Sequence, residues 1–85
     1  MKVQLLVSES SVPCRHAEEV WRQVAAERAL DFSVVDLDAP EGRTLADRLR
    51  LRTIPALVID GRLIAIGVQS PEEARALVTR PPARS

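Results

Sequence analysis

The apolar positions of this chain fall into short unbroken runs and longer spaced stripes, and the changes from one to the other mark seven elements. Val3-Gln4-Leu5-Leu6-Val7-Ser8 is nearly all apolar with little alternation, the pattern of a strand covered on both faces. Glu9-Ser10-Ser11-Val12-Pro13 is a turn holding helix-start residues. Ser11 as N-cap with Pro13 in the first turn puts Cys14 at about the third helical position. From Ala17 the apolar residues run Ala17, Val20, Trp21, Val24 and Ala25, the inward stripe of an amphipathic helix. Leu30 closes the stripe and Asp31 begins the exit. Phe32 to Leu37 reads as a second strand. Asp38-Ala39-Pro40-Glu41 has the D-x-x-E form of a capping box and predicts a short helix to about Leu49.

Ala56 to Ile59 and Leu63 to Ile66 flank Asp60-Gly61-Arg62. Asp-Gly suits a tight hairpin because both central residues of a type I′ turn need positive φ. Ser70-Pro71-Glu72-Glu73 is another start signal, with Ala74, Leu77 and Val78 as the apolar stripe that follows. The predicted order is β-α-β-α-β-β-α: an α/β fold with a four-stranded mixed sheet flanked by three helices. Its first two strands are parallel through a right-handed crossover, and the closing hairpin adds an antiparallel edge.

Composition narrows the class. Eighty-five residues, 46% apolar, make one domain with one modest core. Residues 1–80 are expected to form it, with a flexible proline-broken tail at 81–85. A lone cysteine excludes an intrachain disulfide and fits a reducing compartment, here the cytoplasm. The first apolar run is too short for a signal segment or a membrane span. Net charge is zero, yet residues 1–42 carry four basic against eight acidic side chains and residues 43–85 the reverse, eight against four. That balance does not point to nucleic acid. Arg43, Arg48, Arg50 and Arg52 form either a docking patch for an acidic partner or, more simply, a solvated face.

The candidate chemistry lies at Ser11-Val12-Pro13-Cys14-Arg15 and at Thr53-Ile54-Pro55, with Pro55 following Cys14 by 41 positions (55 − 14). These motifs and the order of elements resemble the thioredoxin/glutaredoxin superfamily over about residues 2–79. Pro13-Cys14-Arg15 matches the second half of the family's Cys-x-Pro-Cys motif, and Ser11 occupies the position of the first cysteine. Thr53-Ile54-Pro55 matches its cis-proline loop. The resemblance implies a thioredoxin-like fold and thiol–disulfide oxidoreductase activity, with Ser11 and Cys14 at the catalytic positions. It also implies a substrate surface at Pro13, Thr53, Ile54 and Pro55, the Ile54 backbone being free to pair with an extended substrate. The chemistry agrees: a thiolate is the attacking species, and a helix N-terminus offers unpaired N–H groups and partial positive charge that favour it.

The departures matter as much. By resemblance Cys14 is the resolving thiol, and a serine hydroxyl cannot replace the attacking thiolate in disulfide exchange. Ser10 stands where the family keeps a Trp, and Leu5 where it keeps a buried acid. Three readings stay open. Ser11 is an engineered replacement of a leading cysteine; or the protein is a natural monothiol variant joining Cys14 to glutathione or a partner; or the fold is an interaction module in which Cys14 is a small apolar residue. A register with Cys14 as the first cysteine of Cys14-Arg15-His16-Ala17, like a monothiol glutaredoxin, fits less well, since the Pro before Cys14 and the basic residue after it suit the second position.

Other candidates read as structural. His16 is two residues from Cys14 and points away from it on a helix; Trp21 belongs to the apolar stripe. Gly67-Val68-Gln69 is similar to the glutaredoxin loop that grips glutathione, or is a strand end before the Ser70 cap. No metal-ligand spacing is present. The expected protein is a small, bacterial-type cytoplasmic monomer. It has no resident cofactor, with glutathione as a co-substrate candidate, and its partners are protein disulfides or thiols and a reductase, with neither nucleic acid nor membrane.

Overall fold

A computed structural model describes residues 1–8 and 11–78. The expected tail at 81–85, the end of the 1–80 domain and the Glu9-Ser10 turn lie outside the described residues. The elements are β1 Lys2–Val7, α1 Val12–Arg28, β2 Asp31–Asp36, α2 Pro40–Leu49, β3 Ala56–Ile59, β4 Arg62–Ile66 and α3 Pro71–Val78. The sheet order is β2-β1-β3-β4. β1 runs parallel to β2 and antiparallel to β3, and β3 runs antiparallel to β4. This is the predicted order of elements, with strand ends shifted by a residue.

Alternation along β1 divides the core between two faces. Val3, Leu5 and Val7 turn toward α1 and α3 and pack with Cys14, Ala17, Trp21, Val24 and Ala74. Leu6 turns the other way and packs with Val35, Leu45, Ala56 and Val58 beneath α2. Both faces are apolar because both are covered, which is why β1 shows so little alternation in sequence.

Two expectations need correction. The capping box at Asp38 does not form: the N-cap of α2 is Ala39, with no side-chain cap bond, and the Asp38 N–H instead donates to Asp36 Oδ1 at 2.8 Å. Pro40 explains it. Proline prefers the first helical position, where its missing N–H costs nothing, and that moves the cap to residue 39. The exit of α1 also comes earlier than Leu30. Ala29 takes the left-handed conformation (φ 54, ψ 46), and Leu30 N–H reaches back to the Ala25 carbonyl at 3.1 Å, a Schellman-type close. Leu30 packs on the core from outside the helix.

The hairpin turn is of the anticipated kind, with positive φ at both Asp60 (50°) and Gly61 (83°). Asp60 does more than turn the chain. Its N–H donates to the Lys2 carbonyl and its Oδ1 accepts the Lys2 N–H, each at 2.8 Å, tying the start of β1 to the hairpin tip. At α3 the Ser70–Glu73 capping box is complete: Glu73 N–H donates to Ser70 Oγ at 3.1 Å and Ser70 N–H to Glu73 Oε1 at 2.9 Å.

Candidate active site

The first turn of α1 starts where β1 ends, so the helix N-terminus stands over one end of the sheet. Ser11 is the N-cap, with extended backbone (φ −97, ψ 126), and its Oγ accepts the Cys14 N–H at 3.4 Å. That contact satisfies one of the N–H groups the helix start leaves over. It also holds position 11 beside position 14, three residues on and on the same helical face. Cys14 is 2% exposed and belongs to the core cluster beneath α1. Its sulfur accepts the Ser8 N–H at 3.4 Å. Ser11 is half-buried, while Val12 beside it is 62% exposed and Pro13 is exposed.

The second candidate segment reaches the same end of the sheet. Leu6 is opposite Ala56 in the β1–β3 ladder, so Pro55, one residue earlier, comes level with the end of β1, where Ser8 contacts the thiol. The Ile54–Pro55 peptide bond is cis. Pro55 is buried and its carbonyl accepts the Gly67 N–H at 2.8 Å. Ile54 is half-buried and packs on the cluster that contains Cys14, while Thr53 is exposed. Among the described residues the Ile54 backbone makes no hydrogen bond.

The remaining sequence candidates separate from this site. His16 is exposed. Trp21 is fully buried and donates Nε1–H to Gln69 Oε1 at 3.1 Å, so Gln69, next to the Gly67 loop, serves as a core anchor. Leu5 is fully buried in β1 with no ionisable atom to offer. One residue at the site carries no sequence signal: Ser8 acts through its backbone N–H, which any residue but proline would supply. Among the described residues no three His, Cys, Asp or Glu side chains gather as a metal site, and no helix is long and apolar enough to cross a membrane.

A helix N-terminus carrying a thiol at the end of a central strand, level with an X-Pro bond, defines a protein of the thioredoxin class. The thioredoxin domain family model matches residues 1–79, and the chain belongs to that family. Among solved structures it resembles NrdH-redoxin, a glutaredoxin-like protein from Escherichia coli, with TM-score 0.63 and 18% identity over 95% of this chain and all of the other. It also resembles thioredoxin 1 from the thermophilic eubacterium Thermosipho africanus, with TM-score 0.62 and 18% identity over 76% of this chain and 73% of that one. At that identity the likeness is one of fold. No curated protein matches the chain in sequence.

Proposed function

We propose that this chain carries a thiol–disulfide exchange site of the thioredoxin type, with position 11 as the attacking position and Cys14 as the resolving thiol. One observation carries the reading: the hydroxyl of half-buried Ser11 sits over the Cys14 N–H, while the only thiol is buried behind it. A disulfide substrate arriving from solvent meets residue 11 first. A mixed disulfide made directly on Cys14 requires that sulfur to leave the core, which weighs against monothiol chemistry through Cys14 alone. With serine at position 11 the exchange cycle lacks its attacking thiolate, so the chain as it stands binds redox partners without turning them over. Pro13, Thr53 and Ile54 supply the surface such a partner would meet, and the unpaired Ile54 backbone suits an extended peptide.

The test is insulin reduction with dithiothreitol or glutathione as thiol donor. Ser11→Cys is expected to gain reductase activity, and the parent chain and the Ser11→Cys, Cys14→Ser double variant to show only the donor's background rate. No gain in Ser11→Cys with either donor would remove the oxidoreductase reading. It would leave the interaction-module reading, which the burial of Cys14 within an apolar cluster favours and which expects Cys14→Ala to keep its partner.

A further inference from the structure

Gln4 interrupts an otherwise apolar central strand, and it is one of two buried polar residues among those described. The other, Gln69, has its oxygen engaged by Trp21. Gln4 is 7% exposed and its side chain makes no hydrogen bond to any other described residue. Among the described residues no fully sealed side-chain nitrogen or oxygen lacks a partner, so the Gln4 amide opens onto the cavity it lines. Valine or leucine would fit a central strand better, whereas this amide is covered on all sides but one and offers its donor and acceptor only to what occupies the cavity.

The cavity measures about 400 Å³ and lies under α2, between Lys2 and Gln4 of β1 and Glu41, Thr44, Leu45 and Arg48 of the helix. Gly61 of the hairpin turn also lines it. Lys2 and Gln4 share the α2 face of the sheet with Leu6. The backbone of Lys2 is held by Asp60 through two hydrogen bonds. Thr44 already donates its hydroxyl to the Pro40 carbonyl at 3.0 Å. Lys2, Glu41 and Arg48 form no ion pair among the described residues, so two cations and one carboxylate line the cavity without a partner there.

We propose that this cavity binds a small organic anion, with a carboxylate or phosphate group held by Lys2 and Arg48 and an adjacent polar atom held by the Gln4 amide. Guanidinium is suited to either group through paired, charge-assisted hydrogen bonds. Glu41 sets the limit on charge: it repels added negative charge and favours ligands of low net charge. The cavity is at the Lys2 end of β1, whereas Cys14 contacts the Ser8 end, so the inference is independent of the redox reading.

The test is a titration of the full ¹⁵N-labelled chain with glycolate, glycerol 3-phosphate and inorganic phosphate, followed by two-dimensional NMR. At least one of the two hydroxylated anions is expected to give saturable shifts at the Gln4 side-chain amide and at Thr44 and Arg48, binding more tightly than inorganic phosphate. Whichever of the two saturates identifies the anionic group. Arg48→Ala should weaken binding about tenfold through loss of a charge-assisted pair. Glu41→Gln should tighten it a few-fold, roughly the effect of removing one nearby like charge. Gln4→Leu should erase the preference for a hydroxylated anion. Arg48 and Glu41 are exposed helix positions, so their variants decide the matter even if Gln4→Leu does not fold. Shifts that never saturate, that spread over the arginine-rich surface, or that are equal in all variants would overturn the proposal.

Discussion

At Gly42 a Cβ atom would stand deep inside van der Waals contact of the Asp36 carbonyl oxygen, 2.8 Å from its carbonyl carbon and 3.0 Å from Leu37 Cα. Helix α2 can therefore rest on the end of β2 only where it carries no side chain. Helix propensity alone favours alanine over glycine by about 1 kcal/mol. The packing reverses the sign: Gly42→Ala is expected to destabilise the fold by about 2 kcal/mol, the usual cost of an overpacked contact. Urea unfolding measures it, and a stabilised variant would mean that α2 does not bear on Asp36. Nothing in the sequence announced this glycine, because a close approach between elements leaves no mark on local pattern. Trp21 and His16 were legible for the opposite reason, since helical periodicity alone puts one on the buried stripe and the other outside it.

The helix-start signals agree at α3 and conflict at α2. At α3 the cap Ser70, Pro71 at the first helical position and Glu73 at the third all specify one start, and both capping bonds form. At α2 the D-x-x-E pattern asks for a cap at residue 38, while Pro40 asks for one at 39, and proline prevails because its ring has already fixed φ. The left-handed closes at Ala29 and Arg50 escape sequence reading for a related reason: neither is a glycine or asparagine, so the usual stop signal is missing.

Between elements, Arg75 of α3 grips Glu27 of α1 with Nε–Oε1 2.8 Å and Nη2–Oε2 3.0 Å. The guanidinium holds the Glu27 carboxyl below its ordinary value of 4.5. A carboxyl depressed in the folded state contributes stability that is present above its unfolded value and lost as pH falls through the folded one. Thermal unfolding should therefore find the parent chain more stable than Glu27→Gln near neutral pH. The gap should close well below pH 4.5 and shrink with added salt, since the pair is exposed. A gap that does not vary with pH would contradict the linkage.

Across the whole molecule, the topology was legible because few arrangements suit the pattern. A βαβ unit has one hand, Asp60-Gly61 forces an adjacent antiparallel hairpin, and a doubly apolar β1 belongs at the centre of a covered sheet. The immediate surroundings of the thiol were not legible, because they are built from backbone: the Ser8 N–H on the sulfur and the level at which β3 meets β1. The Gln4 cavity is likewise a product of register, since it joins the start of β1, the hairpin tip and the outer turns of α2, which are remote in sequence.

If residues 11 and 14 act as one redox pair, the mass of Ser11→Cys after treatment with oxidised glutathione shows it directly. The attacking thiolate at position 11 takes up one glutathione and releases the other as its thiolate. Cys14 then displaces the bound one, so two thiols become one disulfide and two reduced glutathiones leave. The expected product is a chain two hydrogen atoms lighter than the reduced variant, with no cysteine that iodoacetamide alkylates. A product still carrying glutathione at position 11 beside an unreacted Cys14, however long the incubation, would contradict that pairing.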